Sequence, residues 1–413
     1  MPGVCVMENK SILKQVLRAP VIIAALGYFV DIYDLLLFSI VRVPSLQALG
    51  LSGDELLKEG IYLINIQMAG LLTGGILWGI LGDKRGRLSV LFGSILLYSL
   101  ANITNGFVTT VPQYAFLRFV AGVGLAGELG AGITLVAEIL PKNIRGYGTT
   151  LVASVGLFGA VLAYFVAEYT NWQVAYLIGG ALGLSLLALR YSVSESGMFN
   201  SIKEKNIGRG NFLQLFTNRK LLKKYVQCIL IGLPIWYVIG ILVTFSPEFA
   251  VNFQVKGVIA AGKAVMFCYI GLSCGDLASG MLSQYLKSRR EVVLLFLSLT
   301  TLAIVLYLSL SGMSTSMFYF NCFLLGVSIG YWALFVTIAA EQFGTNLRAT
   351  VATTVPNFIR GTVVPLTFSF ELLRAQTGMI PSAWIVGLAT VVIALIALWR
   401  MQESFGKDLN FVE

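Results

Sequence analysis

Apolar stretches of about 20 residues recur along the whole length of this 413-residue chain. Hydrophobic residues make up 57% of the sequence and charged residues only 12%, whereas soluble domains carry about 25% charged residues. Because a bilayer core satisfies no backbone polar groups, such stretches cross it as helices, and the pattern predicts an all-α polytopic membrane protein. We place twelve spans, numbered along the chain, at residues 19–42, 60–81, 88–108, 112–140, 146–168, 172–192, 223–247, 257–286, 292–312, 315–340, 350–374 and 381–401.

The basic residues alternate between the two sets of loops that these spans would connect. When residues at span ends are counted with the adjoining loop, 22 of the 29 Lys and Arg residues belong to one set and 3 lie in the interior of spans, and the other set holds only Arg42, Lys58, Lys256 and Arg374. The positive-inside rule then puts both termini in the cytoplasm, and we expect an inner membrane of bacterial type. The net charge of +9 is therefore a topology signal and not the sign of a nucleic-acid partner. The expected partners are the lipid bilayer, protons and a small molecule, and we expect a monomer.

The histidine and cysteine content bounds the possible cofactors. The chain has no histidine, which excludes a typical zinc site, a histidine general base and a histidine-ligated haem. Four of the five cysteines lie within predicted spans, where cysteine behaves as a small apolar residue. We expect no metal site, no catalytic residue and no cofactor other than a proton gradient.

Two carboxylates, Asp31 and Asp34, lie in the middle of span 1. A charge at this depth costs several kcal/mol, roughly 2.5–3.5 for Asp at a helix centre, so such residues usually serve a function. At a spacing of three residues they share one helix face, and both are unlikely to be ionised at once in a poor dielectric. The pair predicts a proton site. The alternative is a structural pair that caps or joins helices.

Further ionisable residues of spans 4 and 11 converge on the same depth. At a rise of 1.5 Å per residue, Asp34 and Asp31 lie about 12 and 16 Å below the outer end of span 1. By the same rise Arg118, Arg360 and Glu128 lie about 9, 21 and 24 Å below the outer ends of their spans. Three acids against two arginines approach neutrality only if one acid is protonated. The predicted proton-coupling residues are Asp31, Asp34 and Glu128, and the predicted substrate-binding residues are Arg360, Arg118, Tyr33 and Trp236.

The chain divides into two halves that echo each other. Residues 70–79 read GLLTGGILWG and residues 271–280 read GLSCGDLASG, and each half carries a Glu seven residues before an Arg (Glu138, Glu341). We therefore predict a six-helix bundle over residues 1–192, a cytoplasmic linker over 193–222 and a second bundle over 223–413. Parallel repeats of this kind are typical of transporters whose site lies at midplane between the halves.

The turn between spans 2 and 3, Gly79 to Arg87, reads GILGDKRGR. It resembles the G-x-x-x-D-[RK]-x-G-[RK] signature of the major facilitator superfamily. Span 4, from Arg118 to Gly146, is similar to the R-x-x-x-G…E-x-x-P…R-G pattern of that superfamily's sugar-and-other-transporter branch. The Asp-Ile-Tyr-Asp of span 1 resembles the D-x-Y-D of phosphate–proton symporters, and span 11 resembles organic-anion carriers with Arg360 at their mid-span arginine.

This resemblance implies two pseudo-symmetric six-helix bundles that work by alternating access, with a gate of charges at their cytoplasmic ends. The gate would comprise Gly79, Asp83, Gly86, Arg87, Glu138 and Arg145 in the first half, with Glu341 and Arg348 in the second. The interpretation is a proton-coupled symporter of a small anionic metabolite, and not an enzyme. The alternatives are a drug–proton or metabolite–proton antiporter, a transport-dead receptor on the same fold, and, more remotely, an Mg²⁺-dependent intramembrane transferase using Asp31 and Asp34.

Overall fold

A computed structural model describes residues 17–85, 87–130, 132, 136, 140, 145–194 and 214–406. Its helices are α1 (Ala19–Ala48), α2 (Gly53–Arg85), α3 (Arg87–Asn105), α4 (Val111–Leu125), α5 (Arg145–Leu157), α6 (Gly159–Tyr169), α7 (Trp172–Ser194), α8 (Gln214–Thr217), α9 (Arg219–Ile231), α10 (Leu233–Tyr237), α11 (Ser246–Asn252), α12 (Ala261–Leu286), α13 (Arg289–Ser309), α14 (Thr315–Ser328), α15 (Trp332–Glu341), α16 (Thr345–Gly361), α17 (Val363–Thr377) and α18 (Met379–Trp399). A π-helix, Val238–Val243, follows α10. Within the described residues, 9 helical segments are long and apolar enough to cross a membrane. The predicted all-α membrane fold is confirmed.

Several predicted spans are interrupted helices in the structure. Span 7 comprises α9, α10 and the π-helix, and span 10 comprises α14 and α15 with a break at residues 329–331. The break in span 10 lies where Gly330 packs on the backbone of Gly275 in span 8. Interrupted helices leave backbone groups free to meet a ligand, a cap or an ion inside a membrane.

The two halves repeat one helix–helix contact at equivalent positions. In the first half, a methyl group at Gly70 or Gly74 of span 2 would overlap the carbonyls of Phe119 and Val123 in span 4. In the second half, Gly271 and Gly275 of span 8 meet the carbonyls of Phe323 and Val327 in span 10 in the same way. These glycines belong to the two segments whose sequences echo each other, so the echo reflects a repeated close packing.

Contacts between the halves bring the midplane residues together. Span 2 packs against span 11, and spans 1 and 5 pack against span 8. We call the side of the protein that carries Arg42 the Arg42 end, and the opposite side, which carries Arg289, the Arg289 end. Asp31, Asp34, Arg118 and Arg360 are all fully buried between these two ends.

Candidate functional site

The central ion pair of the protein joins Asp31 of span 1 to Arg360 of span 11. Arg360 Nη2 donates to Asp31 Oδ2 at 3.3 Å, and neither side chain is exposed. Asp31 Oδ1 and the Nε and Nη1 atoms of Arg360 have no hydrogen-bond partner among the described residues. The pair thus connects the two halves at the centre and leaves two strong donors and one acceptor unused.

Asp34 points away from this pair, towards the first half. Its carboxylate lies against Gly179 of span 6, and Arg118 and Asn102 are its polar neighbours. Arg118 Nη2 donates to Asn102 Oδ1 at 2.7 Å, and its guanidinium lies 4.9 Å from the centre of the Tyr176 ring. In the described part of the chain, neither oxygen of Asp34 has a hydrogen-bond partner. Asp31 and Asp34 therefore occupy two sites on span 1, each beside its own arginine.

Glu128 is held by Arg190, which lies near the predicted cytoplasmic end of span 6. Arg190 of α7 donates to both carboxylate oxygens, with Nη1 at 3.2 Å from Oε2 and Nη2 on Oε1. Both side chains are buried, and they lie over Gly27, where any larger residue would overlap them. The count of buried charges changes accordingly, because Arg190 joins Arg118 and Arg360 beside the three predicted acids, and Asp276 of span 8 is a fourth buried acid.

Aromatic rings surround Arg360. Its guanidinium lies 5.9 Å from the centre of the Trp332 ring, and Trp332 Nε1 donates to the Tyr28 hydroxyl at 3.0 Å. Trp236 packs edge-on against Trp332, with ring centres 6.3 Å apart. The Tyr33 hydroxyl, in contrast, donates to the Ala175 carbonyl at 2.8 Å, so it is already engaged with span 6.

Asp276 of span 8 caps the inner half of span 10. Its Oδ1 accepts from the Ala333 backbone N–H at 3.0 Å, at the first turn of α15. A carboxylate at a helix N-terminus satisfies free N–H groups and complements the helix dipole. This geometry explains how a buried helix can begin in the membrane interior.

Two ion pairs cross between the halves at the Arg42 end. Arg42 Nη2 donates to both oxygens of Glu248, at 2.7 and 2.9 Å, and Arg42 is fully buried. Arg374 of span 11 binds Asp54 of span 2 at 2.9 Å. Arg42 and Arg374 were predicted only as loop charges. In the structure, both form ion pairs that join the two halves.

At the Arg289 end, described charges of the second half form a network. Glu341 accepts from Arg289 Nη2 at 3.3 Å and from Ser404 Oγ at 2.7 Å. Burial raises the pKa of the Glu403 carboxyl, but hydrogen bonds from Ser288 Oγ and from the Phe405, Arg289 and Arg290 backbone outweigh it and lower the pKa to about 2. A methyl group added at Gly79 would lie 3.9 Å from Thr354 Cγ2 of span 11, which is an ordinary van der Waals distance. Of the other predicted gate residues, Gly86 and Glu138 lie outside the described residues, as do the side chains of Asp83, Arg87, Arg145 and Arg348.

Sequence reasoning missed Arg190, Arg42 with Glu248, and Trp332 as parts of the buried polar framework. Arg190 carried a usable signal, since it lies inside the predicted bounds of span 6, where a charge is costly. Arg42 carried a weaker one, because it lies at the very end of span 1. Nothing in the sequence indicated which of the many aromatic residues would stand beside Arg360.

Comparisons with known proteins agree on one protein family. The sequence profile of the Major Facilitator Superfamily matches residues 24–361. The niacin transporter of Acinetobacter baylyi is 22% identical over 392 residues, covering 86% of this chain and 88% of the relative. The 3-(3-hydroxy-phenyl)propionate transporter of Escherichia coli K12 is 26% identical over 347 residues, covering 80% and 84%. A solved proton:xylose symporter bound to 6-bromo-6-deoxy-D-glucose has a TM-score of 0.70 at 16% identity, covering 97% and 98%.

Proposed function

Because this chain belongs to the Major Facilitator Superfamily, we propose that it is a proton-coupled symporter of a small anionic metabolite. The chain is an integral membrane transporter and not an enzyme. The observation that carries the proposal is the fully buried Arg360–Asp31 pair between the two halves. Arg360 is the group best suited to a substrate carboxylate, since its planar fork can bind both oxygens.

In this proposal, the Asp31–Arg360 pair couples the proton to the substrate. While Asp31 is ionised, it occupies Arg360 and repels a second anion. When Asp31 takes up a proton, its negative charge is removed and Arg360 is free to bind the substrate carboxylate. One proton taken up by Asp31 balances the single negative charge of an entering carboxylate. Glu128, bound to Arg190, lies within electrostatic range of Asp31.

In this proposal, Asp34 is the residue that receives the proton before Asp31. It lies about one helical turn from Asp31 towards the Arg42 end, beside Arg118, and neither of its oxygens has a hydrogen-bond partner among the described residues. A carboxylate so placed can accept a proton first and pass it towards Asp31. By the positive-inside rule, the Arg42 end faces the outside, and both termini lie in the cytoplasm of a bacterial-type inner membrane. A monomer suffices, because the whole polar framework lies within one chain.

The names of the relatives support an organic acid as substrate. One transports niacin and the other 3-(3-hydroxy-phenyl)propionate, and both are small ring compounds with a carboxylate. We propose the same chemical class for this chain. The unused Nε and Nη1 donors of Arg360 are available for such a group.

The test uses purified protein in liposomes, with an imposed pH gradient and labelled niacin as the probe. Asp31→Asn should lose uphill accumulation but keep counterflow exchange, because a neutral side chain leaves Arg360 open to substrate. Glu55→Gln, at an exposed carboxylate on α2, is the matched control and should behave as wild type. Full accumulation by Asp31→Asn contradicts the coupling scheme, and exchange of substrate against protons indicates the antiporter instead.

Arg360 is tested in the same liposomes. Arg360→Lys should weaken carboxylate binding about tenfold or more, since a bidentate fork becomes a point charge. A neutral or cationic substrate that binds Arg360→Ala as well as wild type contradicts this assignment.

A further inference from the structure

Two tryptophans flank the interrupted helices of the second half. Trp332 is the first residue of α15, directly after the break in span 10. Trp236 lies in α10, just before the π-helix Val238–Val243 of span 7. Interrupted helices near the membrane midplane are common binding elements of transporters, and π-helical turns are frequent at functional sites.

The two indole N–H groups differ in their hydrogen bonding. Trp332 Nε1 is bound to the Tyr28 hydroxyl, and its ring face stands against Arg360. Trp236 Nε1 has no partner among the described residues, although its side chain is only 3% exposed. A buried indole N–H usually has a hydrogen-bond acceptor. The Trp236 N–H lacks one next to the central site, so an acceptor on a bound ligand would satisfy it.

The unused polar atoms near Arg360 are complementary to a ligand with two ends. Donors are left on Arg360, at Nε and Nη1, and on Trp236, at Nε1. The Trp332 ring touches both residues and connects them as a flat apolar surface. A carboxylate at one end, a planar ring in the middle and an acceptor at the other end would use all three features.

We infer that Trp236 is a specificity-determining residue that donates its Nε1 hydrogen to a second acceptor on the substrate. The substrate class is then a planar ring carboxylate with an additional hydrogen-bond acceptor on the ring, away from the carboxylate. This inference rests on the proposed function, because it requires the carboxylate to bind Arg360. It goes further in assigning which ring carboxylates the site prefers.

The experiment compares two probes that differ only in the acceptor. Pyridine-3-carboxylate (niacin) and benzoate have the same charge and nearly the same shape, but only the first has a ring nitrogen. Wild-type protein in liposomes should bind niacin about 3–10-fold more tightly than benzoate, the value of one uncharged hydrogen bond. Trp236→Phe keeps an aromatic ring but removes the donor, so it should bind niacin no more tightly than benzoate.

Trp399→Phe, at an indole that is 75% exposed, is the matched control and should keep the preference. Equal binding of both probes by wild type, no binding of either, or an equal loss of both in Trp236→Phe overturns the inference. These outcomes leave the proposed function intact if Arg360→Lys still impairs uptake of another organic anion. If Arg360→Lys changes no anion uptake, the proposed function fails as well.

Discussion

At the scale of single residues, the buried charges of this protein are arranged as separate acid–arginine pairs. Asp31 faces Arg360, and Glu128 faces Arg190. Asp34 lies near Arg118 without a direct ion pair. Each acid lies beside an arginine that belongs to a different span. Each acid can therefore respond separately to a proton or an anion.

The Glu128–Arg190 pair allows a structural role to be separated from a role in coupling. Glu128→Gln should destabilise the protein by about 3–5 kcal/mol, because it leaves Arg190 as an unpaired buried charge. A double variant, Glu128→Gln with Arg190→Met, removes both charges and should recover most of the thermal stability. Thermal unfolding in detergent measures this recovery.

Proton-driven uptake by the same double variant shows what else Glu128 does. We expect uptake to stay impaired, because Glu128 lies within electrostatic range of Asp31 and its removal changes the surroundings of that carboxyl. Normal uptake by a stable double variant would reduce Glu128 and Arg190 to a structural pair.

At the scale of helices, the glycine contacts between spans 2 and 4 and between spans 8 and 10 set how closely the helices approach. Gly275→Ala should lower the free energy of unfolding by about 1–3 kcal/mol, since the new methyl group meets the Val327 carbonyl and must push span 10 away. Gly280→Ala, five residues along the same helix, has open space around it and is the control. The melting temperature in detergent should fall for the first and not for the second. Equal effects would show that helix propensity, and not close packing, explains these glycines.

At the scale of the whole molecule, two ion pairs cross between the halves at the Arg42 end. Glu248→Gln should shift the population towards a form open at this end, because it weakens the hold on a fully buried Arg42. Spin labels at Ser52 and Val258, both exposed and on opposite halves, should report a longer distance. Glu55→Gln, at an exposed carboxylate on α2, is the control and should leave the distances unchanged. Unchanged distances in Glu248→Gln would show that the Arg42–Glu248 pair does not control opening.

We expect the charged residues predicted at the opposite, Arg289 end to control opening on that side in the same way. We expect Asp83→Asn or Glu138→Gln to favour the form open to the cytoplasm and to slow turnover more than they weaken binding. Spin labels on the cytoplasmic ends of the helices would measure this shift. An unchanged distance distribution in both variants would reduce these residues to solvated loop charges.

The sequence by itself determined the class of the protein, because a bilayer accepts only long apolar helices and because basic residues avoid one side of it. The similarity between residues 70–79 and 271–280 also predicted a structural repeat. Gly74 and Gly275, at equivalent positions of the two segments, make the same kind of close helix contact. Only the tertiary structure decided the partners of the buried charges. Glu128 pairs with a residue 62 positions away, and Asp31 with one 329 positions away. Depth along a helix places a charge at midplane, but the direction in which it points depends on how the helices rotate and pack, which no local pattern records.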